Sequence, residues 1–298
     1  MTTPYITPDI LINAPTGLSW ETIPNYDSTL TEQLAEQTRI CWRATHWIDE
    51  FCNQPLRSTT DTEEVLGPDY RVTVDHNGLV RFVPSRWPIT KIVSAQFAAS
   101  FSVPPQWTSI PSTAMYIENT STVNGSVSTI AAAGPSTIMI APGYVSWGNG
   151  RKGIRLQVTY TDGFPHAGVR ANVAVGATTL SVDDCTGMAG STVVIHDGAA
   201  TETVVVSASS AVVGAGTITL ASGVLYAHAA SVQKPIIISG IPASVQQAAI
   251  NYATYTTMTR GATATTVQAM PGTTSSGGGS AALLADAKEI LTPYRRVF

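Results

Sequence analysis

Lysine is nearly missing from this 298-residue chain: four Lys stand beside 12 Arg, charged residues make up only 12%, and the formal net charge is −4. Nucleic-acid affinity comes mainly from clustered cations that neutralise phosphates, and here 16 basic residues are scattered among 20 acidic ones. Tight, sequence-independent DNA binding is therefore not expected. The preference for Arg favours planar, bidentate contacts over simple solubilising charge. No run approaches the roughly 18 apolar residues of a membrane span, so no membrane partner is expected. Met1–Asp9 lacks both a basic start and an apolar stretch, so no signal peptide is expected. What remains is a composition that folds: 44% hydrophobic, with 24 Gly and 18 Pro that follow no collagen period. The length corresponds to about two domains.

Cysteine is also scarce. Cys41, Cys52 and Cys185 cannot all pair within one chain. The first two lie eleven residues apart in a segment predicted to be helical, which separates them by about 16 Å, beyond disulfide reach. Reduced thiols are expected. No Cys-x-x-Cys motif or zinc-spaced Cys and His cluster appears, so no metal or other cofactor is expected. His46 and Glu50 share a helix face at i, i+4 but have no third ligand nearby in sequence, and the HExxH pattern is absent. Asp183-Asp184 and His196-Asp197 fall at predicted strand ends, where Asp bonds local backbone. There is no Gly-x-Ser-x-Gly elbow, and His166 and His228 read as satisfied polar residues rather than bases. The glycine-rich Gly148–Gly153 stretch precedes a strand, which makes it a turn and not a phosphate cradle. No enzyme is expected.

The organisation along the chain is α+β. Residues 1–26 read as an ordered, irregular, Pro-rich arm anchored by Trp20 and Tyr26. Residues 27–170 open with a helix capped by Asp27 or Ser28, with Leu30, Leu34, Cys41, Ile48 and Cys52 on its apolar stripe, widened by Ala44, Trp47 and Phe51. Pro55 ends it. A β region follows, with strands over 70–74, 79–83, 89–97, 114–118, 137–141 and 154–160, and a turn at Asp75-His76-Asn77-Gly78. Residues 171–234, with no Arg and Lys234 as the sole Lys, read as an inserted all-β domain with strands over 179–182, 192–196, 203–207 and 217–220. Residues 235–292 return to helix: one starts at Ile241-Pro242-Ala243 and buries Val245, Ala248, Ala249, Tyr252 and Ala253, and a second is capped by Ser280 with Leu283, Leu284, Ala287, Ile290 and Leu291 inward. Between them lies a long Gly-, Ser- and Thr-rich loop, 261–279. Residues 293–298 form a tail whose Tyr and Arg are residue types enriched at interfaces.

This layout resembles the head-to-tail connector (adaptor) proteins of long-tailed bacteriophages. The resemblance rests on Trp47–Leu56 closing the first helix, on Val80–Val83 and Trp87-Pro88-Ile89, on Val158–Pro165, on Ile241-Pro242-Ala243, and most of all on Leu283–Arg296. It implies a small α-helical bundle, made of the long N-terminal helix and two C-terminal helices, with a central β region and the inserted all-β domain. Such proteins form rings of about twelve copies beneath the portal vertex. Implied partners are the portal protein, a stopper or other tail-side neck protein, further copies of the chain, and double-stranded DNA passing through without specific binding. The implied location is the virion neck, after assembly in the host cytoplasm. By position, Tyr294, Arg295, Arg296 and Phe298 would dock into the portal, while Met270, Pro271, Gly272, Gly277, Gly278 and Gly279 would mark a loop that orders on assembly. The simplest members lack residues 171–234. An alternative from another class is a virion-surface protein that uses the β insertion to hold a host ligand, although Tyr226 is the one aromatic residue that 171–234 offers to a sugar.

Overall fold

The computed structural model describes residues 3–23, 28–66, 69–99, 103–119, 136–145, 154–230, 235–261 and 279–296. It is a mixed α and β structure with four α-helices and three antiparallel sheets among the described residues. In chain order the elements are α1 (Pro8–Asn13), α2 (Leu30–Cys52), β1 (Thr59–Leu66), β2 (Val72–Val74), β3 (Val80–Phe82), β4 (Ile89–Ala99), β5 (Thr108–Ile110), β6 (Met115–Asn119), β7 (Ser136–Ile140) and β8 (Ile154–Asp162). There follow β9 (His166–Gly168), β10 (Thr179–Val182), β11 (Thr192–His196), β12 (Glu202–Ser209), β13 (Gly216–Leu220), β14 (Ile237–Ser239), α3 (Ala243–Gly261) and α4 (Gly279–Leu291). Two compact units result: one combines the chain up to Leu56 with Pro165–Arg295, the other is built on Arg57–Phe164. Among the described residues no helix is long and apolar enough to cross a membrane.

In the first unit, the cap of α2 lies one residue later than Ser28. Thr29 is its N-cap in a reciprocal capping box, where the Thr29 hydroxyl accepts from the Glu32 N–H (3.3 Å) and the Glu32 carboxylate accepts from the Thr29 N–H (2.8 Å). Asp27 and Tyr26 lie outside the described residues. The helix stops where Asn53 turns left-handed at φ 53°, a conformation Asn tolerates, two residues before Pro55. Its buried stripe is Ile40, Cys41, Ala44, Ile48 and Cys52, joined by Gln37 and Thr45. Leu30, expected on that stripe, is 84% exposed, because the face that meets the rest of the unit begins only at Gln37.

The arm is less irregular than its prolines imply. Thr7 caps α1, and Pro8 fits the first turn, where its missing N–H is not needed. Trp20 is buried as expected, with its indole N–H donating to Thr16 Oγ1 (3.0 Å). Tyr5, Ile6 and Leu11 are buried with it. The Tyr5 N–H donates to Thr45 Oγ1 (2.9 Å), and its hydroxyl accepts from the Leu56 N–H (2.8 Å) while donating to the Asp49 carboxylate.

The four strands expected between 171 and 234 are present, and the sheet runs past both of those boundaries. Its order is β10-β13-β12-β11-β14-β9, so β9 and β14, flanking the insertion, belong to it. A Val169–Val182 bridge brings the edges of this half-barrel back together. Alternation is regular: Leu180, Val182, Val193, Ile195, Val204, Val206, Ile218 and Leu220 fill the interior, while Thr179, Ser181, Thr192, Thr203, Thr217 and Thr219 face out. Helix α3 begins at Ala243 and buries Val245, Ala248, Ala249 and Ala253, with Tyr252 half-buried. On α4, Ala287 and Leu291 are buried and Leu283, Leu284 and Ile290 half-buried.

The second unit pairs two four-stranded antiparallel sheets, β1-β8-β4-β5 and β2-β3-β7-β6, over one core. That core takes Val65, Leu156, Val158 and Tyr160 from the first sheet, and Val80, Phe82, Ile138 and Ile140 from the second. Strand β1 was not expected, since Thr59–Leu66 shows no apolar alternation. Its Thr60 and Thr62 instead meet Thr161 and Thr159 across the pair (3.3 and 2.9 Å), while Asp61 and Glu63 on the other face hold cationic and hydroxyl partners. The Asp75 turn forms as expected: its carboxylate accepts from the Asn77 and Leu79 N–H groups, and Gly78 takes φ 82°. Gly148–Gly150 lie outside the described residues.

Substituting Tyr5→Phe removes a buried hydroxyl that both donates and accepts, and leaves the Leu56 N–H with its longer bond to Asp49 (3.3 Å). The expected cost is about 1–3 kcal/mol of unfolding free energy. Denaturant titration followed by circular dichroism measures it; an unchanged midpoint would show that the arm does not brace α2.

Candidate functional site

Three helices converge on the C-terminal end. Pro293 cannot continue α4, and the chain turns through a 3-10 segment, Thr292–Tyr294. Tyr294 is buried: its carbonyl accepts from Gln54 Nε2 (2.9 Å), and its hydroxyl lies 3.5 Å from Ser244 Oγ. The next residue, Arg295, is exposed and lays its guanidinium over the Phe51 ring at 5.6 Å. Phe51 continues a ladder of rings. It stacks on Trp47 (5.6 Å), Trp47 stacks nearly parallel on Tyr252 (4.1 Å, 6°), and Tyr252 leads to Tyr255 (6.4 Å). Residues 47 and 51 are i, i+4 on α2, and 252 and 255 are i, i+3 on α3, so each pair shares one helix face. All four rings are half-buried, which leaves an aromatic strip at the surface that ends on a fixed cation.

Tyr294, expected as a portal anchor, is buried within the chain, with its carbonyl bonded to Gln54 on the end of α2 and its hydroxyl near Ser244 on α3. Arg295 is the first residue of the segment that faces outward, and Arg296 is half-buried. Phe298 lies outside the described residues, as do Met270, Pro271, Gly272, Gly277 and Gly278. Gly279 is the first residue of α4 rather than the end of a loop, and Ser280, expected as the cap, is already helical. The aromatic strip was legible only in part: Trp47, Phe51 and Tyr252 were placed on apolar stripes, but which rings meet across two helices is a tertiary fact.

The polar residues that could carry chemistry are elsewhere, and each is held by the fold. Both ring nitrogens of His166 are engaged, Nδ1 with Ser239 Oγ (3.0 Å) and Nε2 with the Pro4 carbonyl (3.0 Å). His228 is buried between two carboxylates, with Nδ1 3.0 Å from Asp197 and Nε2 2.9 Å from Glu202. Burial alone would push the Glu202 carboxyl up, but the Leu225 N–H, His228 and the Tyr226 N–H outweigh it and hold the group below its ordinary range. His46 is exposed and stacks on Trp42 at 5.7 Å. Among the described residues no group of three or more His, Cys, Asp or Glu side chains is arranged to hold a metal. The three cysteines are buried free thiols, and burial, with Asp49 adding to it, pushes the Cys52 thiol up to about 12.

The second unit contains one strongly perturbed carboxyl, Asp162. Asp162 is fully buried; Oδ1 accepts from Thr59 Oγ1 (2.7 Å), and Oδ2 has no hydrogen-bond partner among the described residues. Burial, reinforced by the nearby Asp61 carboxylate and opposed by the Thr59 hydroxyl and Arg86, raises its pKa from 3.8 to about 7. Further along β1, Glu63 accepts from the Ser85 N–H (2.9 Å), the Tyr160 hydroxyl and Arg71 Nη1 (2.6 Å). Burial and that bond to Glu63 hold the Tyr160 phenol above its ordinary range. These groups cross-brace β1, β8 and the 83–88 connection.

A raised acid pKa makes the folded form hold a proton that the unfolded chain has already released, so stability is fully present below about pH 4 and falls as pH rises through about 7. The full shift corresponds to roughly 4 kcal/mol. Asp162→Asn is expected to flatten that decline and to be more stable than the natural chain at pH 8, as read by thermal melts between pH 4 and 8. Equal pH slopes for both proteins would contradict the assignment.

Protein-family models, curated proteins and solved structures yield no match to this chain.

Proposed function

We propose that this chain is a structural virion protein without catalytic activity, a head-to-tail connector that forms a ring between the portal and the tail-side neck proteins of a long-tailed bacteriophage. In this reading α2, α3 and α4 make up the connector's helical bundle, and residues 171–234 are an insertion specific to larger members. The observation that carries it is the C-terminal end. A frayed terminus would leave Tyr294 and Arg295 loose, whereas here Tyr294 is locked by Gln54 and Arg295 stands at one end of an aromatic strip. Fixing a terminal segment in place lowers the entropy lost when it docks, and Trp, Tyr and Arg are the side chains that dominate docking energies. The acidic, Lys-poor composition suits a conduit that DNA crosses without being gripped.

Two truncations separate docking from folding. A chain ending at Tyr294 retains the buried turn and is expected to melt like the full chain while losing binding to the portal protein of its virus in a pull-down. A chain ending at Thr292 removes the Tyr294 anchor as well and is expected to lose both binding and thermal stability. Portal binding by the chain ending at Tyr294, equal to that of the full chain, would overturn the role of the C-terminal residues.

A further inference from the structure

Two carboxylates facing one buried imidazole fix a proton count. The His228 side chain is fully buried, with Nδ1 3.0 Å from Asp197 Oδ2 and Nε2 2.9 Å from Glu202 Oε1. A neutral imidazole donates from one nitrogen and accepts at the other, while an ionised carboxylate only accepts. A neutral ring here would set a bare nitrogen lone pair against a carboxylate oxygen at contact distance. An imidazolium, a donor at both nitrogens, satisfies the two carboxylates together. Glu202 is the ionised form: its carboxylate also accepts from the Leu225 N–H (2.9 Å) and the Tyr226 N–H (3.1 Å). Between Asp197 and the ring, the proton belongs to the more basic imidazole.

The surroundings favour the same charge. Asp197 follows β11 and Glu202 opens β12, and strands β10 to β13 contain no Lys or Arg. Asp9 of α1 adds a carboxylate beside Gly198, next in the chain to Asp197. His196 of β11 is engaged by Gln246 Nε2 of α3 (3.2 Å), and burial disfavours its charged form. The cation of this cluster is therefore His228 itself.

That cation holds a piece of backbone in place. Glu202 links the ring to the Leu225 and Tyr226 N–H groups, the His228 backbone pairs with Val173 in both directions (2.8 and 2.9 Å), and Val224 accepts from the Gly176 N–H (2.8 Å). Loss of the proton would leave an imidazole lone pair buried against a carboxylate, and moving segment 224–228 outward relieves it. We propose that Asp197, His228 and Glu202 form a proton-held latch, which closes segment 224–228 on the half-barrel and releases it when the proton is lost at alkaline pH. The latch is independent of the connector reading.

In the unfolded chain an imidazole sheds this proton near pH 6.5, roughly, whereas the closed latch keeps it. Above that pH the folded chain binds one proton more than the unfolded one, so the latch's contribution declines as pH rises until the proton is gone. On the acid side the depressed Glu202 carboxyl sets the limit, and its contribution is lost as pH falls through its folded value.

The test is nitrogen NMR of the full chain labelled at histidine, where each ring nitrogen reports whether it carries a proton, with His228→Gln assigning the signal. At pH 8 His228 is expected to be protonated at both nitrogens while exposed His46 is neutral. Hydrogen exchange of the same chain between pH 6 and 10 reads the release. The peptide covering 224–228 is expected to accelerate at least tenfold beyond the intrinsic base-catalysed rise as His228 loses its proton, while peptides from β12 and β13 follow the intrinsic rise. Glu202→Gln offers a side-chain N–H to a neutral ring and is expected to abolish that excess. A neutral His228 at pH 8 in the natural chain, or exchange of 224–228 that follows the intrinsic rise throughout, would overturn the proposal, and neither readout depends on the variant folding.

Discussion

The first unit depends on a strand of chain that a composition-based reading treats as a mere arm. Residues 3–11 run between α2 and the half-barrel and bond to both. On one side Tyr5 reaches Thr45, Asp49 and the Leu56 N–H; on the other, His166 Nε2 meets the Pro4 carbonyl and the Thr3 hydroxyl meets Asp183. The Tyr5 and His166 rings make an edge contact at 5.5 Å. Helix α2 carries Gln37, whose side chain donates to the Trp20 carbonyl, and Gln54, whose side chain donates to the Tyr294 carbonyl. The N-terminal arm and the C-terminal turn are thus fastened to the same helix by the same device, a buried amide donating to a backbone carbonyl.

A second constraint is how the chain handles its scarce charge. Most of the carboxylates in the two β regions are not solubilising groups but acceptors for backbone amides, hydroxyls and guanidinium groups. Asp75, Asp183 and Asp184 pin turns and edges, Glu63 gathers Ser85, Tyr160 and Arg71, and Glu202 orders the 225–226 segment.

Much of this was legible in the sequence because it follows periodicity. The α2 stripe from Cys41 to Cys52, the inward alternation of residues 179–182 and 217–220, and the Ile-Pro start of α3 are local patterns with one structural solution. Strand β1 was missed because distant partners replaced a local signal, whereas the shifted cap of α2 followed from a local one. Thr59–Leu66 is a strand because Arg71, Arg86, Tyr160 and Thr159 satisfy its polar residues from elsewhere in the chain. Tyr294 is internal because Gln54, 240 residues earlier, awaits its carbonyl. The capping position moved from Ser28 to Thr29 because only Thr29 stands three residues before a Glu. The aromatic strip and the bracketed His228 join residues from separate elements, and no spacing rule reports such pairs.

In the proposed function this chain closes into a ring on a portal. The most direct measurement is electron microscopy of the full chain mixed in excess with the purified portal ring of its virus. A second, coaxial ring of copies on one end of the portal is the expected result. Bare portal rings at saturating concentrations of the chain would contradict it.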